Sequence, residues 1–503
     1  MSMLSLTSSS ALYSGLMTVI SHSVRPTSAD TLAVTVTVSP DGDRSTSAPK
    51  ELKDFVIDAA TRLAFDGKHD SVAVIPAPAK SQHTTIVLVG LPTDSPVSDP
   101  LRYAAGVAAR SAKGSLALVF EAKNSADATL IAEGSALAAI PAFTRKSSDA
   151  TPALESIAVV GKHAPDLVAV RASRDAVKIV RDLVTEVPNI LSPDELAQRV
   201  VAESTKLPLT VTVLDEKKLL KEGFGGIIGV GQGSSRPPRM VVVKYAPRGA
   251  RGHVALVGKG ITFDTGGLSL KPANGMIGMK YDMTGAATAF AVVRAAAQRK
   301  LKVAVTAWLC IAENMPSGTA TRPNDVLVIR GGKTVEVTNT DAEGRIVLAD
   351  GIVAASETNP DVIIDIATLT GAARVALGDR ITGVMGDESV AAEIGSAAAR
   401  AGDETWTMPL PHYLRPILAS DVADIANAKI GNTAAGMLIG GIFLKEFVGE
   451  KPDGTTIPWA HLDIAGPANN GNSAYGYTPK GATGAMVRTL IEFIVAREER
   501  PSK

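Results

Sequence analysis

A single cysteine, Cys310, serves the whole 503-residue chain, so no intrachain disulfide and no multi-thiolate zinc site can form. It falls in a strand-like apolar run, Val303 to Ala312, with no histidine near it in sequence, and reads as a core thiol rather than a nucleophile. Histidines number seven, and none belongs to an H-E-x-x-H pattern, which excludes the commonest one-zinc peptidase arrangement. His461, in Trp459-Ala460-His461-Leu462-Asp463, reads as a hydrogen-bonded core residue. Net charge is also missing: 51 basic residues balance 51 acidic ones, leaving no field to draw the chain to nucleic acid or an anionic membrane. No apolar run reaches the ~18 residues of a membrane span. Met1 to Leu16 is serine-rich and lacks the basic start of a signal peptide. The reading is cytoplasmic, with residues 1–30 a disordered extension and Met17 a candidate later start.

Phosphate loops are missing as well. Gly223 to Gly233 is glycine-rich but follows a helix-like stretch and lacks the third glycine of a dinucleotide fingerprint, so a structural loop is expected there. Gly258-Lys259-Gly260 has no Ser or Thr after the lysine.

What is present is an abundance of aliphatic residues in alternating strand and helix patterns, in a chain too long for one ordinary core. Residues 1–170 form a smaller N-terminal α/β domain, with strands at Leu32 to Val38, Thr84 to Gly90, Leu116 to Glu121 and Ile157 to Val160. An amphipathic linker helix occupies residues 171–190, stopped by Pro188, and Ser192 caps the next helix with Pro193 in its first turn. Residues 191–503 carry longer apolar strands with helices between them, implying a larger α/β domain whose central mixed sheet is covered by helices on both faces.

The chemistry concentrates in that second domain. Asn339-Thr340-Asp341-Ala342-Glu343-Gly344-Arg345 places two carboxylates and a guanidinium at alternate positions, which in extended backbone would all face one cleft. Taken alone the segment could be a solvated turn before a helix. The strand His253 to Val257, however, leads into Lys259 and Asp264, with Lys271 and Asp282 beyond, and residues past the carboxyl end of such a strand line a ligand crevice. Asp264, Asp282, Asp341 and Glu343 together carry about four negative charges, a sum that two divalent cations would cancel. Oxygen-rich ligation suits Mn²⁺, Mg²⁺, Co²⁺ or a carboxylate-bound Zn²⁺.

These two motifs, with Ala367-Thr368-Leu369-Thr370-Gly371-Ala372 and Trp459-Ala460-His461-Leu462-Asp463-Ile464-Ala465-Gly466, closely resemble the leucyl aminopeptidase (cytosol aminopeptidase, M17) family from the linker helix onward. Ile346 stands where that family usually has leucine. The resemblance implies release of N-terminal Leu and other largely apolar residues from peptides, by a water activated between two metals. It implies one tightly held ion on Lys259, Asp264, Asp282 and Glu343, and an exchangeable one on Asp264, Asp341 and Glu343. It assigns Lys271 and Arg345 as catalytic, with bicarbonate at Arg345. Asp282 would also pair with the substrate amine, and Met279, Thr368, Leu369 and Ala460 would line the substrate site. It further implies a homohexamer. Two rival readings are a two-metal phosphoesterase, disfavoured by the lysine ligand, and a DNA-binding role, disfavoured by the neutral charge.

Overall fold

Continuous β-branched runs separated by alanine-rich helices produce two α/β units in the computed structural model, which describes residues 17–25, 27–94, 99–146 and 154–499. The expected two-part α/β class, with a mixed sheet in the larger part, is what is observed. One unit runs through Arg174 and includes Ala474–Pro479; the other comprises Asp175–Ser473 and the chain from Lys480. The amphipathic helix Leu167–Thr185 begins in the first and ends in the second. No helix among the described residues is long and apolar enough to cross a membrane.

The first unit holds a seven-stranded sheet ordered Val19–Ser23, Ser156–Val160, Ser115–Val119, Thr31–Val38, Thr85–Gly90 and Val72–Pro76, with Arg44–Thr46 beside Thr31–Val38. Its main strands are parallel and covered on both faces, which is why Thr31–Val38 alternates aliphatic residues with threonine and is buried at six successive positions. Val19–Ser23 corrects the expectation of a disordered extension over residues 1–30. It pairs in parallel with Ser156–Val160 and sinks Ile20 to 3 % exposure, so a short segment in serine-rich surroundings is ordered by a partner far away in sequence. Residues 1–16 and 26 of that expectation lie outside the described residues.

The second unit is organised by an eight-stranded mixed sheet. Its order is Glu404–Thr407, Ile381–Gly386, Trp459–Asp463, Val362–Ala367, His253–Asp264, Ala304–Asn314, Arg239–Tyr245 and Thr210–Leu214. The four strands from Trp459–Asp463 to Ala304–Asn314 are parallel, and the outer neighbours Ile381–Gly386 and Arg239–Tyr245 run antiparallel to them. Helix Thr284–Arg299 packs on one face, where Gly258 meets the backbone of Ala286. Helix Gly344–Ser356 packs on the other, where Gly351 meets Val257 and the buried Cys310 thiol. Cys310 is fully buried and burial holds its pKa well above the usual thiol range, as fits a core residue.

Two expectations are corrected. Gly223 to Gly233 is not a loop: Gly225–Gly231 is a helix, and its glycines permit a close approach, since a Cβ at Gly225 would lie 2.0 Å from the Val328 carbonyl oxygen. The central strand also does not end at Val257 but runs to Asp264, placing Lys259 within it. It continues because Ala304–Asn314 pairs with it through Ile261, and again at Asp264 after a register shift, whereas Val362–Ala367 pairs with it only as far as Gly258. From Lys259 onward the central strand therefore has an open side, and the crevice starts there.

Candidate metal centre and active site

Lys259 lies on the open side of the central strand at 3 % exposure, and its Nζ is 2.8 Å from carboxylate oxygens of both Asp282 and Glu343. Two glycines make that burial possible. A Cβ at Gly344 would come within 2.4 Å of Lys259 Cε, and one at Gly285 within 2.9 Å of its backbone nitrogen. Burial disfavours the ammonium, but Asp282, Glu343 and Asp264 outweigh it and hold the Lys259 pKa above the ordinary lysine range.

Asp264 ends the strand. Its Oδ1 accepts from Gly266 N and Asn314 Nδ2, each at 2.8 Å, and its Oδ2 lies 2.8 Å from Lys271 Nζ. Lys271 also contacts Asp341. It sits on the loop after the strand, where Gly266 and Gly267 turn the chain at φ of +86° and +64°. Asp282 belongs to the short 3₁₀ segment Met279–Met283, and its Oδ1 accepts from Thr368 Oγ1 at 2.8 Å.

Asp341 and Glu343 reach the same place by a different backbone from the one expected. Residues 340–341 form a turn, and Glu343 already has helical dihedrals as the residue before helix Gly344–Ser356. Extended alternation therefore does not align Asp341, Glu343 and Arg345. Instead the turn brings Asp341 and Glu343 to Asp264, so that one donor oxygen from each of the three lies within 4.8 Å of the others.

The charge balance makes this an unusual interior. Four carboxylates face two ammonium groups, and burial with mutual repulsion pushes Asp264 up to about 7 and Asp282 up to about 6. Asp341, a third exposed, is raised by burial. Glu343 is held below the usual carboxylate range because Lys259 and Lys271 outweigh its burial.

A divalent cation fits these residues. Glu343 Oε2 is buried without any hydrogen-bond partner, an arrangement costly unless something cationic meets it. The donor set is all carboxylate plus a lysine nitrogen, hard ligands that match the ions expected from the sequence.

Arg345 is buried inside the first turn of helix Gly344–Ser356 and donates from Nη1 to the Asn427 carbonyl oxygen at 2.8 Å. Its Nε has no partner. Burial lowers its pKa to about 10, against the pull of Glu343 and Asp463, so it stays charged at neutral pH. The guanidinium therefore keeps unused hydrogen-bonding capacity beside the carboxylates.

Among the residues expected to line a substrate site, Met279, Thr368 and Leu369 are half-buried, with Thr368 bonded to Asp282 and Leu369 N donating to Asp463 Oδ1 at 3.3 Å. Ala460 is not brought to them. It is fully buried in the strand Trp459–Asp463, opposite Gly386, and strand alternation turns it to the other sheet face from His461 and Asp463. The residue that shares Asp463 with Leu369 is Ala465, whose N donates to the same oxygen at 3.2 Å. His461 is a core residue as expected, fully buried and 2.5 Å from Asp365 through Nδ1.

Three supporting residues escaped the sequence reading: Asn314, Asp463 and Asn427. Each is buried and acts through partners distant in the chain, Asn427 on residues some 88 positions away; Asp463 stands in a quoted motif without a role assigned to it, and no local pattern marks Asn314 or Asn427.

Comparison with known proteins places the chain in a family. Residues 178–491 match the family model described as the cytosol aminopeptidase family, catalytic domain. A probable cytosol aminopeptidase of Leifsonia xyli subsp. xyli is 53% identical over 444 residues, covering 85% of this chain and 88% of that one. The bottromycin maturation enzyme BotP, solved in complex with Mn, superimposes with a TM-score of 0.81 at 34% identity, covering 94% of this chain and 100% of that one. A mutant of tomato leucine aminopeptidase does so with a TM-score of 0.82 at 28% identity, covering 96% and 97%. The matched catalytic model and the identity across most of both chains show that this chain belongs to the cytosol aminopeptidase family.

Proposed function

We propose that this metal-dependent peptidase is a leucyl aminopeptidase that releases N-terminal Leu and other largely apolar residues from peptides, in the cytosol and as a homohexamer. The observation that carries the reading is the convergence of Asp264, Asp341 and Glu343 on one another, with one Glu343 oxygen buried and unpartnered and Lys259 and Lys271 as the neighbouring cations.

Two divalent ions fit the proposal, Mn²⁺ or Zn²⁺ first and Co²⁺ or Mg²⁺ next. One would be held by Lys259, Asp264, Asp282 and Glu343, the other by Asp264, Asp341 and Glu343. When bound, such a pair supplies Lewis acidity and a water acidic enough to serve as nucleophile near neutral pH. Lys259 would join as a neutral amine, its Nζ already standing between the carboxylates of Asp282 and Glu343. Lys271 is not among those ligands, and in the metal-free cluster Asp264 and Glu343 outweigh its burial and hold its pKa above the ordinary value, so the proposal keeps it protonated. It can therefore donate to the oxygen that becomes negative as the peptide carbonyl is attacked. Asp282 offers its carboxylate to the substrate's free amino group, which an acylated or internal residue lacks. Arg345, with Nη1 tied to Asn427 and Nε free, would hold bicarbonate as the local proton acceptor. Met279, Thr368, Leu369 and Ala465 would contact the first side chain, and an apolar lining discriminates weakly because a methylene is worth only ~1–3 kcal/mol.

The test is hydrolysis of leucine p-nitroanilide by metal-stripped protein with Mn²⁺, Zn²⁺, Co²⁺ or Mg²⁺ returned singly, beside the N-acetylated substrate. Activity that requires both metal and the free amine supports the reading. Equal cleavage of the acetylated substrate, or inactivity with every metal, removes it. Sedimentation velocity on the same samples tests the hexamer.

A further inference from the structure

Asn427 uses its whole hydrogen-bonding capacity on the segment that carries the site. It follows the two-residue strand Ile425–Ala426, which pairs in parallel with Thr334–Glu336, and it is fully buried. Its Oδ1 accepts from Thr338 N at 2.8 Å, Thr338 Oγ1 at 3.2 Å and Asn339 N at 3.3 Å. Its Nδ2 donates to Asn339 O at 2.7 Å and Ala342 O at 3.4 Å. Its own carbonyl oxygen accepts from Arg345 Nη1 at 2.8 Å. The two amide donors and the acceptor oxygen of one side chain thus bracket the turn that presents Asp341 and Glu343, while its backbone fixes the guanidinium two residues later.

We infer that Asn427 is a positioning residue for this reaction: it sets the spacing between the carboxylate-bearing turn and the Arg345 guanidinium, and decides which edge of that guanidinium stays free. The inference rests on the aminopeptidase reading. Asn427 touches none of Met279, Thr368 or Leu369 through the bonds above, so its role separates from substrate binding. Asparagine is required rather than aspartate, because a carboxylate at 427 would set a second oxygen against the carbonyls of Asn339 and Ala342. That replaces two donor bonds by repulsion without changing size. The isosteric change should therefore damage the site more than loss of volume explains.

The experiment compares wild type, Asn427→Asp, Asn427→Ala and Thr338→Val. The last removes the bonds from Thr338 Oγ1 to Asn427 Oδ1 and to the Ala428 oxygen while leaving Asn427 in place. Folding is checked by circular dichroism. Mn²⁺ affinity is read from the paramagnetic resonance signal of free Mn²⁺, independently of turnover, and kcat and KM are measured on leucine p-nitroanilide. Partners one step behind metal ligands typically change affinity or activity by about 10–100-fold. A loss of that size is expected in both Mn²⁺ affinity and kcat for Asn427→Asp and Asn427→Ala, with KM little changed and Thr338→Val moving the same way by less. Folded Asn427 variants with wild-type Mn²⁺ affinity and kcat, or a loss confined to KM, would overturn the inference. If neither Asn427 variant folds, Thr338→Val decides: wild-type values there overturn it, and a loss in affinity and kcat upholds it. If wild type itself neither binds Mn²⁺ nor cleaves the substrate, the aminopeptidase reading fails and the inference goes with it.

Discussion

Replacing Lys259 with methionine tests whether lysine charge holds the carboxylate cluster together until divalent ions take over. Methionine fills a similar volume but carries no charge. Lys259 is 3 % exposed and contacts Asp282 and Glu343 at 2.8 Å each, and those carboxylates are nearly as buried. Removing one member of such a pair leaves an uncompensated buried charge and costs about 3–5 kcal/mol. The effect can be followed in one unit alone, because the three tryptophans, Trp308, Trp406 and Trp459, all lie in the second unit. In chelator at pH 8, the urea transition of tryptophan fluorescence should show that loss relative to wild type. Saturating Mn²⁺ supplies the missing positive charge and should narrow the gap.

Lowering the pH should narrow it too. Asp264 at about 7 and Asp282 at about 6 stand above the usual carboxyl value of 3.8, so between those limits the folded state binds more protons than the unfolded one. Their contribution is present below pH ~4 and is lost as pH rises through 6 to 7. Ion-free wild type should accordingly be less stable at pH 8 than at pH 5, and the variant more steeply so. A variant as stable as wild type in chelator at pH 8 would refute the charge argument. A gap that Mn²⁺ leaves unchanged would refute the cation site.

Gly344→Ala should destabilise by about 1–3 kcal/mol through overpacking, since the new methyl would lie 2.4 Å from Lys259 Cε, and it should weaken Mn²⁺ binding in calorimetric titration. Unaltered Mn²⁺ affinity would count against the close fit. Arg345→Lys keeps the charge but cannot hold the Asn427 oxygen and still present a second planar donor edge, so kcat should fall by about 10–100-fold without recovery on adding bicarbonate. Ser192→Ala removes the hydroxyl that accepts from Glu195 N at 3.2 Å and should cost ~1 kcal/mol of stability with kcat intact, a control for damage far from the site.

Much of the site was legible because its residues cluster in two short runs. Lys259, Asp264, Lys271 and Asp282 lie in or shortly after one strand, and Asp341, Glu343 and Arg345 flank the start of one helix. The second run announces itself by two carboxylates and a guanidinium at alternate positions, and the first by charged residues just past an apolar strand core. The Ser192 cap and the burial of Cys310 and His461 were legible for the same local reason, since residue type and neighbours suffice. Ala460 was misplaced because a motif shows which residues are near in sequence, whereas strand alternation decides which face each one takes.

By itself, then, the sequence determined the alternation of strands and helices, the absence of thiolate and H-E-x-x-H chemistry, and which charged side chains had to meet cations. Only the tertiary structure decided that the central strand outruns its neighbour at Gly258 and so opens the crevice at Lys259. It alone decided that a turn at residues 340–341, and not an extended segment, presents Asp341 and Glu343, and that Asn427 closes on that turn from 88 residues away. Pairing length, register and long-range hydrogen bonds belong to two chain segments at once, and neither segment's composition encodes them.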